Sequence, residues 1–293
     1  MTDAHWHDLT GDGSTELILA GEWMGLRVFR HESGGSFTEI TGALGLERSN
    51  GWWNGFEIAD LDQDGDADIV ASNRGENAQF HARPDVPASV NAGDFDQDGG
   101  VEPIMSHYID GTEYPLPRCG LLMDELPRLR VRFQTYQAYA EATMDDVLDQ
   151  EQRKKARRFK AHTFTTSLFE QQEDSTFVRR DLPVEAQFSP MHDIVVHDAN
   201  DDGRPDVLLA GNDFTVREPW GPSDAGQGVL RLNEGSLTFD AQRARESGFF
   251  APGDVRSLLL VPTPDTPLVV VGNNDAPLRV FRVRTPDASV AGR

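Results

Sequence analysis

The sequence predicts an all-β fold assembled from repeated units of strand, acidic loop and strand. Three observations carry that expectation. A nine-residue acidic frame occurs four times, a short apolar run follows each copy, and further apolar runs precede the later copies. Self-similarity of this kind marks a repeat architecture before any single element is read.

The frame reads DLTGDGSTE at Asp8 to Glu16, DLDQDGDAD at Asp60 to Asp68, DFDQDGGVE at Asp94 to Glu102 and DANDDGRPD at Asp198 to Asp206. Every copy has Asp at position 1, an oxygen-bearing residue at 3, Asp-Gly at 5 and 6, and Asp or Glu at 9. The continuations are LILAGEW (Leu17 to Trp23), IVASN (Ile69 to Asn73), PIMSHY (Pro103 to Tyr108) and VLLAGN (Val207 to Asn212). Bounded apolar runs of this length read as buried strands. A fifth unit, Ser257 to Asp275, keeps both apolar runs but has TPDTP where the carboxylates would stand, so it should hold no metal.

The frame has a direct physical reading. Ca²⁺ takes about six to eight oxygens at roughly 2.3 to 2.6 Å, and carboxylates at alternate positions of a tight loop can converge on one ion. Gly at position 6 permits the sharp turn. Asp60, Asp62, Asp64 and Asp68 offer four carboxylates, as do Asp94, Asp96, Asp98 and Glu102. Asp198, Asn200, Asp202 and Asp206 offer three and an amide, and the set Asp8, Thr10, Asp12 and Glu16 should be weakest. An EF-hand fails on spacing, because the twelfth residues are Leu19, Ala71, Met105 and Leu209, all apolar. Asp-Gly turns are common in hairpins for backbone reasons alone, but four copies in one frame would repel without a counterion.

Composition narrows the partners. The 293 residues are 38% hydrophobic and 9% aromatic, ordinary for a globular chain, and the formal charge is −22. That charge argues against nucleic acid or an anionic membrane as partner, and for cations. The one cysteine, Cys119, excludes an internal disulfide and a thiolate cluster. The start of the chain has no basic-then-apolar leader, and no run reaches the roughly 18 apolar residues that span a bilayer.

These residues resemble a known family. Strand, D-x-D-x-D-G-x-x-D, strand, repeated along a chain, looks like the FG-GAP repeat, also called the VCBS repeat, which forms β-propeller blades in integrin α-subunits and bacterial surface proteins. NGWWNGFEIADLDQDGDADIVASN and VEAQFSPMHDIVVHDANDDGRPDVLLAGN look especially like the bacterial members. The resemblance implies a β-propeller of about five visible blades, in a family that usually closes with seven. It also implies up to four Ca²⁺ ions, with Ser14, Asp66, Gly100 and Arg204 as backbone-carbonyl donors beside the side chains named above. The first loop begins at Asp8, too close to Met1 for a full leading strand, so an N-terminally incomplete chain or an open array is expected.

One domain over 1–293 is expected, interrupted by a helical insertion at about 118–160. Leu129, Phe133, Tyr136 and Ala140 fall at helical spacing, as do Met144, Val147 and Leu148, predicting two amphipathic helices. The insertion is rich in Arg and Lys. We read these as a solvated helix face, with docking of an acidic glycan or protein as the other reading. His5, His7, His192 and His197 match no strong metal spacing and are read as structural. Trp52, Trp53, Phe249 and Phe250 are read as packing between units rather than as a carbohydrate surface.

No G-x-S-x-G, H-E-x-x-H or phosphate-cradling glycine loop is present. The expected function is therefore a calcium-binding module outside the cell, at its surface or in the periplasm, that binds a protein or glycan. Neither nucleic acid binding nor membrane insertion is expected. The alternative is a calcium-dependent polysaccharide lyase on the same scaffold.

Overall fold

The structure is a computed structural model that describes residues 1–215 and 221–283. It is mostly β, with antiparallel sheets, and divides into two compact units. The first unit comprises Met1–Glu47, Trp52–Gln79 and Phe164–Arg293; the second comprises Arg48–Gly51 and Phe80–Thr163.

The first unit repeats one sheet. Asp3–His7, Glu16–Ala20, Arg27–His31 and Phe37–Glu39 form its first copy, hydrogen-bonded in chain order. The second copy is Gly55–Ala59, Asp68–Ser72, Ser167–Gln171 and Phe177–Asp181, and the third is Asp193–His197, Asp206–Ala210, Val229–Asn233 and Phe239–Gln242. A fourth sheet shows three strands, Val255–Val261, Leu268–Asn273 and Arg279–Arg282. In each of the first three sheets an acidic loop joins the first two strands. The leading strand of the first sheet is Asp3–His7, and all five of its residues pair with Glu16–Ala20, where the sequence predicts no full strand.

The cores lie between successive sheets, and strand alternation decides which residue enters which layer. Ile69, Ala71 and Phe169 face the layer shared with Ile18, Val28 and Trp53. Val70 and Leu168 face the next, with Ile194, Val207 and Leu209; Leu208 and Ala210 face the third, with Val255, Leu258 and Val271. Asp68–Ser72 and Asp206–Ala210 are therefore buried on both faces, which is why they read as unbroken apolar runs. The first strands run side by side: Gly55–Ala59 packs against Asp3–His7 and Asp193–His197, and the latter against Val255–Val261. Two side chains stitch this row: Asp3 Oδ2 accepts from the Phe56 amide (3.0 Å) and Asp193 Oδ2 from the Leu258 amide (2.6 Å).

Trp53 is fully buried, edge-on to Phe169 at 5.6 Å, and Phe249 is buried against Phe281, as the packing reading expects. Phe250 is instead 42% exposed.

The second unit corrects two expectations. The third acidic loop does not lie in a sheet of the repeated kind. Its strands stand in the order Thr112–Pro115, Glu102–Ile109, Ala88–Gly93, Arg157–Ala161, the last returning beside the first in sequence. The stretch Phe80–Thr163 of the second unit enters between the second and third strands of the second sheet, and its helices run from Cys119 to Lys155, within the 118–160 expected for the helical insertion. Nor are there two long helices. Five short ones occur, Cys119–Glu125, Leu129–Arg132, Tyr136–Ala140, Met144–Val147 and Gln150–Lys155, because Thr135, Thr143 and Asp149 each restart the chain as an N-cap. The restart at Thr135 shifts the buried face, so Tyr136 is 81% exposed while Tyr139 packs on the Phe133 ring at 5.6 Å.

Candidate metal centre

The four acidic loops share one backbone conformation, built by their own side chains. The position 1 carboxylate accepts from the position 6 glycine amide in each: Asp8 from Gly13 (2.8 Å), Asp60 from Gly65 (3.1 Å), Asp94 from Gly99 (3.2 Å) and Asp198 from Gly203 (2.8 Å). The position 5 carboxylate accepts from the position 7 amide: Asp12 from Ser14 (2.8 Å), Asp64 from Asp66 (2.9 Å), Asp98 from Gly100 (2.6 Å) and Asp202 from Arg204 (2.9 Å). The position 6 glycines have φ of 86°, 101°, 91° and 87°. A Cβ there would meet nothing, so the backbone angle, not space, demands glycine.

Position 9 has a second duty that residue spacing does not reveal. Its carboxylate closes the loop by accepting from the position 2 amide: Glu16 from Leu9 (3.1 Å), Asp68 from Leu61 (3.1 Å), Glu102 from Phe95 (2.7 Å) and Asp206 from Ala199 (2.8 Å). In the second and third sheets it also reaches the end of the third strand, where Asp68 accepts from the Gln171 amide (3.0 Å) and Asp206 from the Asn233 amide (2.8 Å). The side chains of Gln171 and Asn233 then bond back to the preceding repeat, at the Leu9 and Leu61 carbonyls (3.0 and 2.6 Å). Burial pushes the Asp68 carboxyl up to about 7, against the pull of these amides, and pushes Asp206 up in the same way.

The loops differ in how far their carboxylates gather. Oxygens of Asp94, Asp96, Asp98 and Glu102 all lie within 4.8 Å of one another, as do those of Asp60, Asp62 and Asp64. Asp68 stands outside that second group, and the first and fourth loops form no such group among the described residues. Asp60 Oδ1 is buried with no hydrogen-bond partner. An acceptor in that state costs free energy unless a cation meets it. Burial and the neighbouring Asp64 also raise the Asp62 carboxyl. The oxygen-only donor set suits Ca²⁺ and not a thiolate- or imidazole-seeking metal.

The family model of the FG-GAP-like repeat matches residues 8–71, the first two loops and the strands between them. The chain carries FG-GAP-like repeats. No curated protein matches it closely enough to count as a relative.

Two of the acidic loops bring a cation of their own. In the fourth, Arg204 donates to Asp202 Oδ2 (2.6 Å) and to the Asn233 carbonyl (2.5 Å), while Asn200 also donates to Asp202 Oδ2 (2.9 Å). In the first, Arg30 lies 3.7 Å from Asp12 and 3.5 Å from Glu16. The backbone amides at Ser14 and Arg204, with these arginines behind them, hold Asp12 and Asp202 below the usual carboxylate range. No arginine or lysine forms an ion pair with the second or third loop among the described residues.

The four histidines join no metal group among the described residues. His5 lies against Asp3 (3.3 Å) and the Phe56 ring (4.6 Å), and His192 Nε2 lies 2.9 Å from Arg256. At the hairpin ends remote from the loops, Trp23, Trp52 and Phe164 cluster, with Trp23 and Trp52 5.3 Å apart and Arg74 5.2 Å over the Trp52 ring. Trp23 has φ 58°, an uncommon backbone state for a bulky residue. Of this group the sequence singles out Trp52 alone, as a packing residue; Trp23, Phe164 and Arg74 lie far from it in the chain, and GEW, ending one repeat like the GN of another, is the available sign for Trp23.

Proposed function

We propose that this FG-GAP repeat chain is a calcium-stabilised β-propeller module that binds a protein or glycan outside the cell. The observation that carries the metal reading is the common oxygen scaffold of the four loops, with Asp60 Oδ1 left without a donor. Asp60, Asp62, Asp64 and Asp68 would hold one ion and Asp94, Asp96, Asp98 and Glu102 another; the first and fourth loops, already offset by arginine, would fill last. The bound ion would supply charge compensation, locking the first two strands of a sheet at a fixed angle. The row of first strands, each flanked by the next sheet, supports the propeller arrangement.

The same reading places the module where calcium is millimolar, since weaker loops fill only there. The aromatic group around Trp23, Trp52 and Arg74 offers the ligand a surface: rings to stack on and a guanidinium to bond. Calorimetric titration with Ca²⁺ should show two tight ions and weaker filling beyond them. Neither heat nor a change of melting temperature with Ca²⁺ or EDTA would remove the proposal.

One observation favours the lyase reading: Arg256 bridges His192 and Asp213 (2.9 and 3.2 Å), and Asp213 lies in the electrostatic field of Arg74. Release of unsaturated sugar from an acidic polysaccharide, lost in His192→Ala, would decide for it.

A further inference from the structure

We propose that the strand Arg157–Ala161 is a docking edge for an extended acidic peptide, which adds to the sheet of the second unit as a further strand. This is independent of the metal loops. The strand pairs with Ala88–Gly93 on one side and ends its sheet, so its other side has no strand partner among the described residues. Arg157, Arg158, Phe159 and Lys160 are all exposed, Phe159 to 41%. An edge strand presents backbone donors and acceptors in a fixed row, and alternating side chains beside them supply selectivity.

Charge identifies the occupant. The chain carries −22 overall, yet its only three lysines are Lys154, Lys155 and Lys160. The neighbouring basic groups separate into two sets. Arg153 and Arg158 converge on buried Glu113 (2.5 and 2.8 Å), and Lys154 pairs with Glu151 (2.9 Å), so these charges are committed. Lys155, Arg157 and Lys160 form no ion pair among the described residues. A structural role explains the first set, whereas Arg157 and Lys160 stand uncompensated on the open edge strand and Lys155 ends the helix just before it.

Charged side chains on an edge usually prevent pairing, by repelling strands of the same sign. Here that repulsion becomes selection: a basic or neutral strand gains nothing, and an acidic one is attracted. The outer strand of the second sheet, Phe177–Asp181, shows the contrast. It also carries two arginines, but Arg179 pairs with Asp181 (3.3 Å) and Arg180 with Glu170 (2.5 Å), leaving no charge to offer. On the proposed edge Arg157 and Lys160 are three residues apart and so point to opposite faces, with Phe159 beside Arg157's face. The matching peptide has acids three apart and an apolar residue next to one of them.

The probe is a fluorescein-labelled peptide, Glu-Val-Thr-Glu-Glu-Val-Thr-Glu, followed by polarisation with the full chain. It should bind, with affinity falling as salt rises, and the double variant Arg157→Glu, Lys160→Glu should weaken it at least tenfold. Both residues are exposed and unpaired, and circular dichroism checks that the sheet persists; Arg157→Gln, Lys160→Gln serves if the reversal disturbs it. Methylating alternate peptide nitrogens should also weaken binding, because a strand needs its amides. No binding, indifference to both double variants, or equal binding of the N-methylated peptide would overturn the proposal. Tighter binding of a sulfated oligosaccharide that ignores Phe159→Ser would overturn it too, in favour of a simple polyanion surface.

Discussion

The second and fourth acidic loops have the same hydrogen-bonded frame and opposite electrostatic solutions. In the fourth, Arg204 lies on Asp202 and completes the charge from within the chain. In the second, Asp60, Asp62 and Asp64 face one another and Asp60 Oδ1 has no donor at all. The frame alone therefore does not define a metal site. It shapes a loop, and the counter-charge, internal or external, is chosen separately.

The largest expected effect tests what the loops share. Asp68→Ala and Asp206→Ala each remove a buried carboxylate and leave two backbone amides unpaired, so each should cost about 3 kcal/mol even in the absence of calcium. Denaturant unfolding measures this, and a loop that tolerates the change would break the common frame.

Next comes what separates them. Asp60→Asn keeps an acceptor for the Gly65 amide but removes charge, and Asp198→Asn does the same for the fourth loop. An ion present at about 100 times its dissociation constant contributes about 2.7 kcal/mol. Asp60→Asn should therefore remove about 5 °C or more of the calcium-dependent rise in melting temperature, while Asp198→Asn removes about 1 °C or less. Equal losses would erase the distinction.

The pH response sharpens it further. Burial holds the Asp68 carboxyl near 7, above its unfolded value, so the ion-free fold binds the proton more tightly than the unfolded chain does. Without calcium, stability should rise as pH falls from about 7 towards 4. Calcium needs the charged form, so its stabilisation should shrink over the same range, by up to tenfold in affinity per pH unit. Melting curves at pH 5.5 and 8, with calcium and with EDTA, should show trends of opposite sign; parallel trends would place Asp68 outside the ion's reach. The smallest effect belongs to Arg204→Ala, which frees Asp202. Calcium affinity of the fourth loop should rise a few-fold, consistent with about 1 kcal/mol or less for an exposed pair.

The loops were legible because their bonds are local. Positions 1 and 6, 5 and 7, and 2 and 9 meet within nine residues, so a recurring frame carries nearly all of their geometry. What escaped is nonlocal. Gln171 bonds Asp68 and Leu9 from distant parts of the chain, and nothing about a glutamine ending SLFEQ announces either partner. The boundary of the second unit escaped for the same reason, since it follows from Ser167–Gln171 pairing with a strand that ended at Ser72. Arg204 was nearer to hand. It lies inside the frame, and its side chain, not only its carbonyl, was the signal to read.

The placement of the second unit has a kinetic side. Elsewhere the second and third strands of a sheet are joined by short stretches, Gly21 to Leu26 in the first sheet and Gly211 to Gly228 in the third, but Ser72 must wait for Ser167. Closing so long a connection as flexible chain would cost about 1.5 kcal/mol more than closing the third sheet's, since loop entropy grows only logarithmically with length. If the second unit condenses first, it brings its own ends together, and the second sheet is then completed as if by a short hairpin. Synthesis from the N-terminus emits that unit before Ser167, so the order of translation matches the order that folding needs.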